Sequence, residues 1–83
     1  MAHIISVLGE SLREMLILDG WTLDWERNAR CAVSKDGKFP RGFPLHVGLP
    51  VRLVKSIADT AGWDAARFEE LYHQVITTKP KKK

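Results

Sequence analysis

The sequence predicts a single α+β domain in which one helix is followed by a three-stranded antiparallel sheet and then by two more helices. Apolar residues recur at three- and four-residue spacing near the start and in the second half of the chain, as amphipathic helices require. The stretch between these segments alternates in polarity and contains turn residues, which indicates strands. Helices packed on one face of such a sheet leave the other face to solvent or a ligand.

The first helix is predicted to end at Asp19, because Gly20 suits the left-handed position that follows a helix. Ser11 followed by Glu14 fits a capping box. Gly9 interrupts the apolar pattern, so the helix begins either near residue 4 or near residue 11. Its apolar positions are Ile5, Leu8, Leu12, Met15 and Leu16.

The first strand is predicted from the alternation of Trp21, Leu23 and Trp25 with polar residues. We expect these three side chains to pack inward on one face, and Trp63 to fill the core at a helix junction. The alternative role for the tryptophans is to stack on nucleobases.

The second strand is expected over residues 30–34, after a turn at Asn28 and before an Asp-Gly turn. If Cys31 packs into the core as a structural thiol, Arg30 faces the solvent, because neighbouring side chains of a strand point to opposite faces. The third extended piece, residues 39–47, contains two prolines and must be short or lie at a sheet edge.

The two later helices are bounded by clear signals. Gly48-Leu49-Pro50 opens the second helix with proline near its first position, Gly62 ends it, and Asp64 is a natural N-cap for the third. The predicted buried positions are Val51, Val54, Ile57, Ala58 and Ala61, then Phe68, Leu71, Tyr72, Val75 and Ile76.

Basic residues are concentrated in the middle of the chain. The formal net charge of the whole chain is +3, but residues 27–55 alone hold seven basic residues and one acid. Such a block favours a polyanion as ligand, although basic residues that only keep a hairpin hydrated would give the same count. The candidate phosphate-binding residues are Arg27, Arg30, Lys35, Lys38, Arg41, Arg52 and Lys55.

The chain is predicted to form one domain over residues 1–77, followed by a basic, disordered tail over residues 78–83. Cys31 is the only cysteine, so no internal disulfide can form, and no spacing of cysteine and histidine fits a zinc site. We expect no cofactor and no metal. No apolar run approaches the roughly 18 residues of a membrane span, which favours a cytoplasmic protein with no membrane partner.

Several short motifs follow one another in a consistent register along residues 11–71. They are Ser11-Leu12-Arg13-Glu14, Asp19-Gly20-Trp21, Pro44-Leu45-His46, Leu49-Pro50 and Ile57-Ala58-Asp59-Thr60-Ala61-Gly62, with Phe68 after them. Together with the basic hairpin, these motifs resemble the HicA-type toxins of toxin–antitoxin systems. Those toxins are small mRNA interferases with a double-stranded-RNA-binding-domain-like fold. The resemblance implies RNA as a ligand, endoribonuclease activity and an antitoxin as protein partner.

The sequence departs from that family in the first hairpin, where Arg30 stands at the position of the family's catalytic histidine. A guanidinium stays protonated, so it cannot take the proton of a ribose 2′-hydroxyl, but it can bind a phosphate. Whether the chain is an enzyme therefore stays open. His46 matches the family's second histidine and is the candidate catalytic residue, the alternative being a partly exposed histidine at a strand end.

The sequence thus leads to one main hypothesis and two alternatives. The main hypothesis is an RNA-binding protein that contacts mRNA through the hairpin and the start of the second helix, with mRNA cleavage as the leading activity. One alternative is a catalytically inactive module that binds a protein partner, either an antitoxin or a host protein. The other is a helix-turn-helix DNA-binding regulator over residues 57–71, which the acids Asp64, Glu69 and Glu70 disfavour because they repel phosphates.

Overall fold

The computed structural model describes residues 4–38 and 42–78 and has the α+β architecture predicted from the sequence. Its elements in chain order are α1 (Gly9–Leu18), β1 (Thr22–Arg27), β2 (Arg30–Ser34), β3 (Phe43–Pro44), α2 (Val51–Ala61) and α3 (Ala65–Thr78). The strands form an antiparallel sheet in the order β1-β2-β3. The predicted tail begins at a residue that belongs to α3, and residues 79–83 lie outside the described residues.

The core lies on one side of this sheet, where α1 packs against α3, and α2 adds buried residues to the same cluster. From the sheet, Cys31, Val33 and Phe43 are fully buried. The helices add Leu12, Met15, Leu16, Val54, Ile57, Phe68 and Leu71, each at most 1% exposed. Among the described residues, no helix is both long and apolar enough to cross a membrane.

Helix α1 begins at Gly9, between the two predicted starts. The backbone N–H groups of Gly9 and Glu10 donate to the carbonyl oxygens of Val47 and Leu45, at 3.2 and 3.0 Å. No side chain caps this helix, so the predicted capping box is wrong: carbonyls of the chain after β3 take its place. Gly9 permits this approach, because a Cβ there would overlap the carbonyl oxygen of Pro44.

The predicted turns are confirmed. Asn28 and Ala29 have φ angles of 54° and 60°, and Asp36 and Gly37 have 52° and 79°, as two-residue hairpin turns between twisted strands require. Ala29 holds this left-handed conformation with a Cβ, which is unfavourable for alanine. β3 is two residues long and lies at the sheet edge, as its prolines predicted.

The ends of the later helices also follow their sequence signals. Gly62 ends α2 with a φ of 81°, and Asp64 Oδ1 accepts the backbone N–H of Arg67 at 2.8 Å. Two predicted core positions are wrong: Val51 is 42% exposed and Ile76 is 50% exposed. Both lie in terminal turns of their helices, at the margin of the core.

The carboxylate of Asp19 joins four separate parts of the fold. It accepts the indole N–H of Trp63 at 2.8 Å and of Trp21 at 3.2 Å, and the guanidinium of Arg67 at 3.0 Å. Lys35 Nζ lies 3.8 Å from it and donates to the Asp19 carbonyl oxygen at 2.7 Å. We call these five residues the Asp19 junction.

Two opposing effects act on the Asp19 carboxyl group. Burial alone would raise its pKa, but the hydrogen bonds from Trp63, Arg67 and Trp21 and the charge of Lys35 outweigh burial and lower the pKa. The junction is therefore held together by a carboxylate that stays ionised.

Candidate nucleic-acid interface

A β-bulge in β1 decides which side chains reach the exposed side of the sheet. Leu23 pairs with Val33, but Trp25 pairs with Ala32, so Asp24 is an extra residue without a partner of its own. After the bulge, each side chain of β1 points to the face opposite to the one that strict alternation predicts. Trp25 is accordingly 41% exposed. The prediction that Trp25 packs inward is therefore wrong. Leu23 is on the core side of the sheet but is 38% exposed, so its predicted burial is wrong as well. Trp21 and Trp63 are buried as expected, at 4% and 5% exposure.

The residues of the exposed side follow from the register of the three strands. Cys31 and Val33 point into the core, so Arg30 and Ala32 point away from it. Residues paired directly across an antiparallel sheet share a face. The partners of Arg30 and Ala32 are Arg27, Trp25 and Pro44. We call this surface the outer face; its residues are Trp25, Arg27, Arg30, Ala32 and Pro44.

Two guanidinium groups lie at the turn end of the outer face. The Cζ atom of Arg27 is 5.5 Å from the centroid of the Trp25 ring, within cation–π range. Arg30 Nη2 donates to the carbonyl oxygen of Gly42 at 3.2 Å, which uses one of the five N–H donors of a guanidinium. Both arginine residues are exposed, as the sequence predicted for Arg30.

Neither acid of β1 lies at the turn end of the outer face. Asp24 Oδ1 accepts the hydroxyl of Ser34 at 3.0 Å. Ser34 alternates with the buried residues of β2 and lies at the other end of that face. Glu26 pairs with Cys31, which places it on the core side of the sheet, and it forms an ion pair with Arg13 of α1. Positive charge therefore dominates the turn end of the outer face.

The other predicted phosphate-binding residues lie elsewhere. Lys35 belongs to the Asp19 junction, Lys38 is exposed in the second turn, and Arg41 lies outside the described residues. Arg52 and Lys55 are exposed on α2, which packs its apolar side into the core on the opposite side of the sheet from the outer face. Arg52 lines an open cleft of about 520 Å³ together with Pro50, Leu53 and Ser56.

His46 lies near the turn between β1 and β2. Its neighbour Leu45 donates a backbone N–H to the carbonyl oxygen of Ala29, at 2.7 Å. His46 Nδ1 is 3.0 Å from Glu10 Oε2 at the start of α1, and 63% of the histidine side chain is exposed. No sequence pattern indicates this pair, because it depends on how the segment after β3 crosses the start of α1.

Cys31 is fully buried between the sheet and the helices, as predicted. Burial raises the pKa of its thiol to about 11. A thiol with this pKa is protonated at neutral pH and is not a nucleophile. Cys31 is thus a core residue, and because it points into the core, its neighbour Arg30 points to the outer face.

The described residues contain no group of three or more histidine, cysteine, aspartate or glutamate side chains placed to hold a metal ion. The likeness to HicA-type toxins rests on the sequence motifs given above. Comparisons of the chain with protein-family models, with curated proteins and with solved structures return no match.

Proposed function

We propose that this protein binds RNA through the outer face of its sheet. The observation that carries the proposal is the bulge at Asp24, which sets an aromatic ring beside two arginine residues on one exposed surface. Cations that neutralise phosphates and aromatic rings that receive bases are the two elements of nucleic-acid binding surfaces. The resemblance to a family of RNA-cleaving toxins supports RNA as the polymer.

Arg27 and Arg30 are the proposed phosphate contacts. They pair across the hairpin, so their guanidinium groups project from neighbouring strands on the same side of the sheet. A planar guanidinium can donate two parallel hydrogen bonds to one phosphate. The contributions of Lys35, Lys38, Arg41, Arg52 and Lys55 stay predictions.

The test compares the arginine residues of the outer face with the basic residues of α2. It measures the affinity for a labelled RNA by fluorescence anisotropy at several salt concentrations. Arg27→Gln and Arg30→Gln should each weaken binding and lower the salt slope by about 0.7, the value for one phosphate contact on a single strand. Arg52→Gln and Lys55→Gln on α2 are the matched variants, and we expect them to leave the slope nearly unchanged. Equal losses from all four variants, or equal binding of duplex DNA, would contradict the proposal.

The pair formed by His46 and Glu10 favours RNA cleavage as a second candidate function. A carboxylate that accepts Nδ1–H fixes the histidine tautomer and leaves Nε2 as a base. The side chain of His46 is largely exposed, so RNA can reach it. Nε2 would take the proton of a ribose 2′-hydroxyl, O2′ would attack the adjacent phosphorus, and the bond from phosphorus to O5′ would break. Water would protonate the departing oxygen.

A cleavage assay on single-stranded RNA tests this second candidate. Cleavage by the parent protein should be abolished in His46→Ala and reduced in Glu10→Gln, which keeps the shape but not the charge of the orienting group. An inert parent that gains activity with Arg30→His would instead indicate that the fold binds RNA without cleaving it. Full cleavage activity in His46→Ala would show that His46 is not the catalytic base.

A further inference from the structure

The outer face leaves one large aromatic ring open to solvent. Trp25 is 41% exposed, about ten times the exposure of Trp21 at 4%. The residue opposite it on β2 is Ala32, and Gly42 lies beside the ring, where an added Cβ would come within 4.0 Å of Trp25 Cη2. Small neighbours on both sides leave the ring exposed. The Arg27 guanidinium lies over it, 5.5 Å from its centroid, so a stacked base would displace that group or use the other ring face.

Charge is arranged around this ring along the strand direction. Arg27 follows the ring on the same strand, and Arg30 faces Arg27 from the next strand. Asp24, on the other side of Trp25 in the sequence, is bonded to Ser34. A ligand that combines a flat aromatic group with negative charges on one side of it matches this arrangement.

We infer that the outer face takes a single-stranded segment of RNA, with one unpaired base stacked on Trp25 and the neighbouring phosphates at Arg27 and Arg30. This inference rests on the proposed function and specifies its ligand. A base within a duplex is covered on both faces by its neighbours in the stack, so it cannot reach the ring. An unpaired base can be splayed out and stacked on an aromatic side chain while the backbone follows the cations.

The experiment uses the full chain and a labelled, non-self-complementary RNA of about 12 nucleotides, within the usual footprint of single-strand binding sites. The same strand annealed to its complement is the second probe. The variants are Trp25→Ala, Trp25→Phe and, as matched control, Leu23→Ala. Leu23 lies on the same strand before the bulge, is 38% exposed and pairs with a core residue.

The parent protein should bind the single strand more tightly than the duplex. Trp25→Ala should weaken single-strand binding by about tenfold, as expected for one stacked base, and leave duplex binding unchanged. Trp25→Phe should retain most of the affinity, and Leu23→Ala should equal the parent. Single-stranded RNA should also quench part of the tryptophan fluorescence of the parent, and this quenching should be absent in Trp25→Phe, which keeps Trp21 and Trp63.

The outcomes separate this inference from the proposed function. One outcome is that duplex and single strand bind equally, that Trp25→Ala keeps the parental RNA affinity, and that Arg27→Gln and Arg30→Gln still weaken binding. In that case the outer face contacts only the RNA backbone, and the inference is wrong. If neither RNA binds and an acidic peptide does, the proposed function is wrong as well. The fluorescence measurement on Trp25→Phe decides the matter even if Trp25→Ala fails to fold.

Discussion

The Asp19 junction and the outer face use tryptophan in opposite ways. At the junction, the indole N–H groups of Trp21 and Trp63 donate to one carboxylate, and both rings are buried. On the outer face, Trp25 is exposed, with the guanidinium of Arg27 near its ring. A buried indole needs a hydrogen-bond partner inside the protein, whereas an exposed one can give its ring to a ligand. We therefore expect stability and the proposed RNA binding to depend on different tryptophans.

The sharpest test of this comparison removes one tryptophan from each region. Trp63→Ala should lower the free energy of unfolding by about 3–5 kcal/mol, because it opens a cavity and removes a donor from Asp19. Trp25→Ala should lower it by less than about 1 kcal/mol, since an exposed ring leaves no cavity. Urea unfolding followed by far-ultraviolet circular dichroism measures both. Similar losses would show that Trp25 also belongs to the core.

The carboxylates of the two regions provide the next test. Asp19→Ala should cost about 2–3 kcal/mol of unfolding free energy, because it leaves two indole N–H groups and a partly buried guanidinium without their acceptor. Asp24→Ala is the matched control: it removes an exposed hydrogen bond to Ser34 and should cost less than about 1 kcal/mol. A larger cost at Asp24 than at Asp19 would mean that the bulge, and not the junction, stabilises the fold.

Acid should weaken the Asp19 junction. The folded-state pKa of Asp19 is lowered below its ordinary value of 3.8, so its contribution is complete above that pH and is lost as the pH falls through the lowered pKa. The unfolding free energy of the parent should therefore fall more steeply below about pH 4 than that of Asp19→Asn, which cannot titrate at this position. Parallel pH profiles of the two proteins would contradict this account of the junction.

The sequence was informative wherever a signal acts on its own neighbours. Gly20, Gly62 and Asp64 end or begin helices through their own φ angle or through a bond to nearby backbone, and all three predictions are confirmed. The start of α1 could not be predicted, because its cap consists of carbonyls from residues that follow β3. Local signals do not encode such distant contacts.

The predicted orientation of Trp25 was wrong for a related reason. Strict alternation places it with Leu23, and only the pairing of β1 with β2 shows that Asp24 interrupts the alternation. The one local hint is an aspartate within a strand, a residue type that strands disfavour. The Asp19 junction was equally hidden, since its donors come from as far as 48 residues along the chain. The basic block was visible in the sequence, but its division between the outer face and α2 was not.

The smallest expected effect concerns the turn that carries the outer-face arginines. Ala29 has a φ of 60°, a conformation that glycine adopts without the cost of a Cβ, so Ala29→Gly should raise the unfolding free energy by about 0.5 kcal/mol. Ala32→Gly is the control: within a strand, glycine should destabilise by about 0.5–1 kcal/mol. Chemical unfolding of both variants measures the difference, and RNA affinity should stay at the parental level in Ala29→Gly because the register of Arg27 with Arg30 is kept. A destabilised Ala29→Gly would show that the left-handed conformation costs alanine nothing here.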